Sequence, residues 1–336
     1  MPETSEIEQG LQHLFRELHG NDDIEVKEVR NITVGWEAHI YSFILLKGND
    51  STRMVARVYN GVNSGVRAER EFNVMNSLRR AGYPAAEVYV CCGDADVIGA
   101  PFIVMEMFAG GSMMDKFMAV NPEKWNTFLP EFSRLYAQLH KLSPRKAIPW
   151  KRSYRSTKGR IRARITELEF EASNADITIL REIFTWLKKR LLDVENMPLS
   201  VIHQDFHPGN IMYRANGSAG VIDWSGADIG DPREDLSWTK VLASSHFDPA
   251  LGDAFTAGYM TATGWKLRNL EYFEVLAILR RLEDYLRVVA SGAEKSGMRP
   301  EILKIMESNR PHYSRLLERL HELTGIETRR IEAAFP

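Results

Sequence analysis

The stretch VIHQDFHPGNIMYRANGSAGVIDW, residues 201–224, decides how this chain is read. Two short apolar runs flank Asn216-Gly217, a dipeptide that favours hairpin turns because both residues tolerate positive φ. With those two residues at the centre of the turn, Asn210 faces Asp223, and a longer turn shifts the register by a residue or so. An amide oxygen and a carboxylate then converge at one end of a rigid hairpin. Hard oxygens placed like that suit Mg²⁺, which takes one or two protein ligands plus waters and substrate phosphates. Asp205 precedes Asn210 on a loop bent by Pro208 and Gly209. A second carboxylate near the metal but off it orients an attacking hydroxyl, which is a layout for phosphoryl transfer.

The same residues carry a resemblance. His203-x-Asp205-x-x-x-x-Asn210 followed by Ile222-Asp223-Trp224 resembles the catalytic and metal motifs of the aminoglycoside phosphotransferase family. That family is a branch of the protein-kinase-like fold that includes choline and sugar kinases, and the spacing matches the kinase catalytic loop. Gly230 to Leu236, GDPREDL, resembles the family's G-D-P-x-x-D-L element, and Leu139-His140 resembles a family helix ending. The resemblance runs in order from about Val29 to Trp238.

It implies an α+β, bilobal fold: a small antiparallel sheet with one long helix in a nucleotide-binding lobe, 1–107, and a larger, mainly helical catalytic and acceptor-binding lobe, 108–336. It also implies roles for residues. Asp205 would be catalytic, and Asn210 and Asp223 would hold Mg²⁺. Arg57, in MVARVY, stands where the fold usually has the lysine that grips the α- and β-phosphates, with Glu71 as its ion-pair partner. Arginine keeps the charge and offers a planar fork of donors, but it is longer and poorly interchangeable with lysine at a fitted site. Gly35, in TVGWEAHIY, marks a nucleotide loop without G-x-G-x-x-G. Glu106, Met107 and Phe108 would form the hinge whose backbone pairs with the purine. The implied co-substrate is ATP or GTP, and the implied acceptor is a hydroxyl of an aminoglycoside-, sugar- or amino-alcohol-like small molecule.

Outward from the motif, the texture changes along the chain. Runs rich in β-branched and aromatic residues at Ile40–Leu46, Met54–Tyr59, Val88–Val90 and Phe102–Met107 predict a sheet. Ala68, Phe72 and Met75 predict a helix over Arg67–Arg80, stopped by Gly82 and Pro84. Past Gly110-Gly111 the pattern is helical, with one stripe from Trp125 to Leu142 despite Pro130, helices through Arg160–Ala172 and Ile177–Leu192, and a stripe from Tyr313 to Leu323 ending before Gly325.

The whole chain, 336 residues with 43 Lys and Arg against 45 Asp and Glu, has the size of two domains and gives no electrostatic reason for a nucleic-acid partner. Its cysteines, Cys91 and Cys92, are adjacent, which argues against a strain-free disulfide and for a reducing, cytoplasmic setting. No apolar run is long enough to span a membrane. From Ser237 to Pro336 the balance is 14 basic to 13 acidic, so no acidic cleft for a polycationic acceptor stands out.

Structural roles compete for several of these residues. His203 reads as a buried, hydrogen-bonded histidine and His207 as structural, Asp231 as a helix N-cap, and Asp235 as a brace for the catalytic loop. The basic run Lys151–Arg164 reads as a solvated loop and helix face, with an anion-attracting flap near the nucleotide or acceptor as the alternative. Two other functions use the same residues: a hydrolase holding Zn²⁺ or Mn²⁺ through His203, Asp205 and His207, and a nucleotide-binding regulator without catalysis, motivated by Arg57 and the missing glycine loop.

Overall fold

The computed structural model describes residues 3–32, 38–149, 156–292, 304, 306 and 308–335. Gly35 and Lys151–Arg155 lie outside the described residues. The chain divides into two compact units, one of Met1–Ser112 with Ile211–Ser225, the other of Met113–Asn210 with Gly226–Pro336.

The first unit is built on a five-stranded antiparallel sheet. Its strands are β1 (Glu25–Asn31), β2 (Ala38–Lys47), β3 (Asp50–Tyr59), β4 (Val88–Cys92) and β5 (Phe102–Glu106), in the order β1-β2-β3-β5-β4. Helix α1 (Thr4–His19) is absent from the sequence expectations. It buries Ile7, Leu11 and Phe15 against Val26, Tyr41, Phe43 and Phe102, each side chain worth about 2 kcal/mol of burial. Helix α2 (Ser64–Arg80) starts a turn earlier than Arg67, because the Arg67 N–H already donates to Asn63 O at 3.0 Å. It stops where expected: Gly82 takes φ +81°, and Tyr83 N donates back to Leu78 O.

The hairpin forms, with its register one residue off the expected one. Strands β7 (Ile211–Tyr213) and β8 (Ala219–Val221) pair Ile211 with Val221, whereas Asn210 opposite Asp223 would pair Ile211 with Ile222. The loop holds three residues rather than two. Arg214 N donates to Ser218 O, Gly217 N donates to Arg214 O, and Gly217 alone in the loop has positive φ, +82°. The hairpin is knit to the first unit by Val221 N to Pro84 O (2.8 Å) and Tyr213 N to Gly111 O (2.9 Å). At Gly220 the Phe108 ring comes so close that a Cβ would lie 2.6 Å from Cζ, so a side chain there would displace the ring.

The second unit is helical: α3 (Met113–Met118), α4 (Leu129–His140), α5 (Pro144–Ala147), α6 (Thr157–Asn174), α7 (Arg181–Arg190), α8 (Pro232–His246), α9 (Pro249–Thr263), α10 (Leu270–Ser291) and a final long helix, Arg310–Thr324, capped by Gly325 at φ +73°. Two short strands, β6 (Ser200–Ile202) and β9 (Asp228–Gly230), pair antiparallel before α8. The stripe from Trp125 to Leu142 is not one helix. A 3-10 turn, Pro122–Thr127, precedes α4, and Pro130 sits in the first turn of α4, where a missing N–H costs nothing. Phe132, Leu135, Tyr136 and Leu139 are core, as their spacing predicts. No helix among the described residues is long and apolar enough to cross a membrane.

Candidate active site

The motif 201–224 divides between the units: residues through Asn210 belong to the second, Ile211 onward to the first. In the second unit the loop that carries Asp205 follows β6 and is held from α8. Asp231 caps α8 with a capping box to Glu234, and Pro232 opens the first turn. That fixed start places Asp235, fully buried, under the loop. Its carboxylate accepts the backbone N–H groups of His203 (2.7 Å) and Gln204 (2.5 Å), and faces His140 Nε2 at 3.2 Å. Gln204 has φ +68°, a conformation that L residues seldom adopt, and the two N–H bonds to one carboxylate hold it there. His140 is oriented in turn by Tyr259, whose hydroxyl lies 2.7 Å from Nδ1. Since Asp235 only accepts, Nε2 of His140 is the donor and Nδ1 the acceptor from Tyr259. Burial pushes the Tyr259 hydroxyl far above its ordinary range, so it stays a donor. The expected brace is in place.

Asp205 lies at the surface of this loop with 42% of its side chain exposed. Oδ1 accepts from Trp238 Nε1 at 2.8 Å, and Oδ2 is 3.5 Å from His207 Nε2. His207 Nδ1 accepts from Gly209 N at 3.0 Å, which places a proton on Nε2, facing the carboxylate. Desolvation opposes ionisation of Asp205, and His207, Trp238 and Arg280 outweigh it, holding the carboxyl well below the usual range. Asn210 spends its Nδ2 on Asp205 O at 2.9 Å, which leaves the amide oxygen as its acceptor side.

In the first unit, Arg57 of β3 and Glu71 of α2 form the expected ion pair, with Nε 3.4 Å from Oε2. Glu71 is further held by the Tyr59 hydroxyl (2.7 Å) and the Trp224 backbone N–H (3.1 Å). Burial pushes its carboxyl up, against the pull of Arg57. Arg57 also reaches Asp223, Nη2 to Oδ1 at 2.8 Å, and Ser225 Oγ donates to the same oxygen. Although burial disfavours its charge, Asp223 and Glu71 push the Arg57 pKa well above its ordinary value. Asp223 takes φ +63°, again in the left-handed region. At the end of β5, Glu106 is engaged by Arg214 in a two-pronged bond, 2.6 and 3.0 Å. The Arg214 guanidinium lies 4.6 Å from the Phe108 ring centre, and Met107 is half-buried.

The structure therefore groups Arg57, Glu71 and Asp223 in one cluster, Asp205 and Asn210 in another, and Glu106 with Phe108 at a third place. The metal-hydrolase reading does not fit. His203 is fully buried with Nδ1 accepting from Asp205 N at 3.3 Å, His207 Nδ1 is taken by Gly209, and no group of three His, Cys, Asp or Glu among the described residues is placed to hold a metal. Arg160, read as part of a solvated basic face, is buried, 3.6 Å from both Asp228 and Glu234. Sequence reasoning missed Tyr59, Trp238 as the partner of Asp205, and Arg214. Trp238 follows Asp235 by three positions, one helical turn, and that spacing was the available signal.

Comparison with known proteins bears on the family and the fold. Residues 28–276 match the family model described as the phosphotransferase enzyme family. An acyl-CoA dehydrogenase family member 11 from Pongo abelii is 29% identical over 188 residues, 50% of this chain and 22% of the relative, so the matched part is about a fifth of that relative's length. A crystal structure from Ralstonia eutropha JMP134, provisionally assigned as an aminoglycoside phosphotransferase, superposes with a TM-score of 0.63 at 17% identity, covering 93% of this chain and 98% of the other. A thermostable mutant of an aminoglycoside phosphotransferase, in a ternary complex with AMP-PNP and hygromycin B, gives a TM-score of 0.62 at 13% identity, covering 94% and 98%. The α+β architecture is thus the protein-kinase-like fold of these neighbours. With a match across most of its length, this chain belongs to the phosphotransferase enzyme family.

Proposed function

We propose that the chain transfers the γ-phosphoryl group of ATP or GTP to a hydroxyl of a small molecule, with Asp205 aligning that hydroxyl. The observation that carries this is the Asp205 carboxylate, ionised, part-exposed and aimed by Trp238 and His207 in a loop braced by Asp235. The acceptor O–H donates to Asp205. As its oxygen bonds to phosphorus and the bridging β–γ P–O bond breaks, the proton passes to the carboxylate and the nucleoside diphosphate leaves. A carboxylate of depressed pKa is a weak base for an alcohol, so orientation comes first and proton acceptance late.

Asn210 and Asp223 offer an amide oxygen and a carboxylate, hard donors that fit Mg²⁺; they would hold it. Magnesium, when bound, neutralises charge on the triphosphate oxygens. Arg57, fixed by Glu71, is assigned to the nucleotide phosphates, and the backbone of Glu106–Phe108 to the purine. Gly35 keeps its proposed place in the nucleotide loop. The neighbour solved with AMP-PNP supports a nucleotide co-substrate. The acceptors to be screened are aminoglycosides, macrolides, amino alcohols and sugars.

The test is nucleotide consumption over that panel with Asp205→Ala as the blank. Transfer by the wild type, reduced ~10²-fold or more in the variant, is expected; equal rates would refute the assignment. One observation favours a nucleotide-binding regulator instead: Arg57 already stands on Asp223, the carboxylate assigned to the metal. A nucleotide-dependent thermal shift without transfer to any acceptor would establish that second reading.

A further inference from the structure

We infer that the acceptor is an anion, its hydroxyl brought to Asp205 by a carboxylate or phosphate group held at Arg280. This rests on the phosphotransferase reading and adds the charge of the substrate to it. A cleft of about 30 Å³ opens beside the catalytic loop, lined among others by Gln204, Arg164, Trp238, Phe273 and Arg280. Such a volume takes roughly two water-sized centres, room for the end group of a ligand whose remainder lies outside it.

The surrounding charges decide which end group. Arg164 is spent on Glu167 at 2.6 Å. Glu234, also in the lining, accepts from Asp231 N and lies 3.6 Å from Arg160. One turn along α10, Glu283 and Asp284 each lie 3.2 Å from Arg287. Arg280 differs. Its Nη1 donates to Gln204 O at 2.7 Å, its guanidinium lies 4.0 Å from the Trp238 ring centre, and among the described residues it forms no ion pair with a carboxylate. Burial and Arg164 disfavour its charge and move its pKa down, against the longer-range pull of Asp284, Asp205 and Asp235; none of these carboxylates lies within ion-pairing distance, so the edge of the guanidinium that faces the cleft is open to an anion. A guanidinium laid on an indole keeps its edge donors for a planar carboxylate or a phosphate.

The same indole donates to Asp205, so the anion site and the catalytic carboxylate share Trp238. A hydroxyl a few bonds from an acid is thereby fixed at both ends, while a polycation meets like charge.

The test uses the full chain with its nucleotide site saturated by ADP. Inorganic sulfate, followed by tryptophan fluorescence, is expected to bind the wild type and to bind Arg280→Gln ~10-fold or more weakly, with Arg280→Lys intermediate; equal titration of wild type and Arg280→Gln overturns the inference without any acceptor being known. In a turnover arm, ATP is offered with glycerol 3-phosphate against glycerol, with 3-hydroxybutyrate against its methyl ester, and with hygromycin B. Preference for the charged member of a pair, lost as a rise in KM in Arg280→Gln and partly kept in Arg280→Lys, supports the inference, and the two pairs separate phosphate from carboxylate. Preference for the neutral members or for hygromycin B overturns it. If sulfate binds through Arg280 and nothing is phosphorylated, the anion site stands and the acceptor assignment falls with the phosphotransferase reading.

Discussion

Two buried carboxylates, Glu71 in the first unit and Asp235 in the second, are stabilised by opposite means. Glu71 is balanced by a full charge: Arg57 lies against it and against Asp223, with the Tyr59 hydroxyl and the Trp224 N–H filling in. Asp235 is balanced by dipoles, two consecutive backbone N–H groups and an imidazole. An ion triad fixes charge and tolerates little loss, because removing one member leaves another buried and unpaired. A carboxylate holding N–H groups fixes backbone shape, here the left-handed Gln204 that precedes Asp205. The first arrangement suits the phosphate-binding role proposed for Arg57; the second suits a loop whose side chain must point in one direction.

The sharpest way to break this comparison is Glu71→Ala. It leaves the buried Arg57 with Asp223 as its one remaining counter-charge and takes the acceptor from Tyr59 OH and Trp224 N, and denaturant unfolding is expected to show a loss of ~3–5 kcal/mol. If Arg57→Met on the same background restores most of that, charge balance is the cause. Asp235→Asn keeps the shape but offers the two N–H groups one acceptor oxygen at best, and is expected to cost ~1–3 kcal/mol. Its larger effect falls on kcat as the loop loses its shape, measured beside unchanged nucleotide affinity.

Glu283 is the third case. It is fully buried, neither carboxylate oxygen is hydrogen-bonded although Arg287 Nε lies 3.2 Å from one, and burial with the neighbouring Asp284 outweighs Arg287 and pushes its pKa to about 7. A raised folded-state pKa means stability that is complete below the unfolded value near ~4.3 and is lost as pH rises through about 7. Glu283→Gln should match the wild type at pH 4.5 and exceed it at pH 8 by up to ~3 kcal/mol; a constant offset across that range would mean the group does not titrate there. The smallest effect belongs to the hairpin loop. Gly217→Ala forces a side chain into φ +82° and is expected to cost ~1 kcal/mol, read as a modest fall in Tm.

Much of this was legible in the sequence because it is local. His203, Asp205, Asn210 and Asp223 occur within one hairpin-bearing segment, Asn216-Gly217 announces the turn, and Gly-Asp-Pro announces the start of α8 with Asp235 behind it. The exact register was not, since Asn-Gly fits both two- and three-residue loops, and what separates them is the observed pairing of Ile211 with Val221 and an Asn216 without the positive φ of a two-residue turn. Helix α1 carried a readable period in Ile7, Leu11 and Phe15, overshadowed by the acidic residues around it. The Arg57–Asp223 bond joins residues 166 positions apart, and Arg280 meets the catalytic loop across 76. Such pairings are set by tertiary packing and leave no period or spacing to read.

The most direct measurement is phosphoryl transfer by Asp205→Asn, a change that keeps an oxygen for Trp238, turns an amide NH2 toward His207, and removes the charge and the proton acceptor. A fall in kcat of ~10²-fold or more, with the nucleotide dissociation constant within about twofold of wild type, is the predicted result. Transfer at the wild-type rate would contradict it.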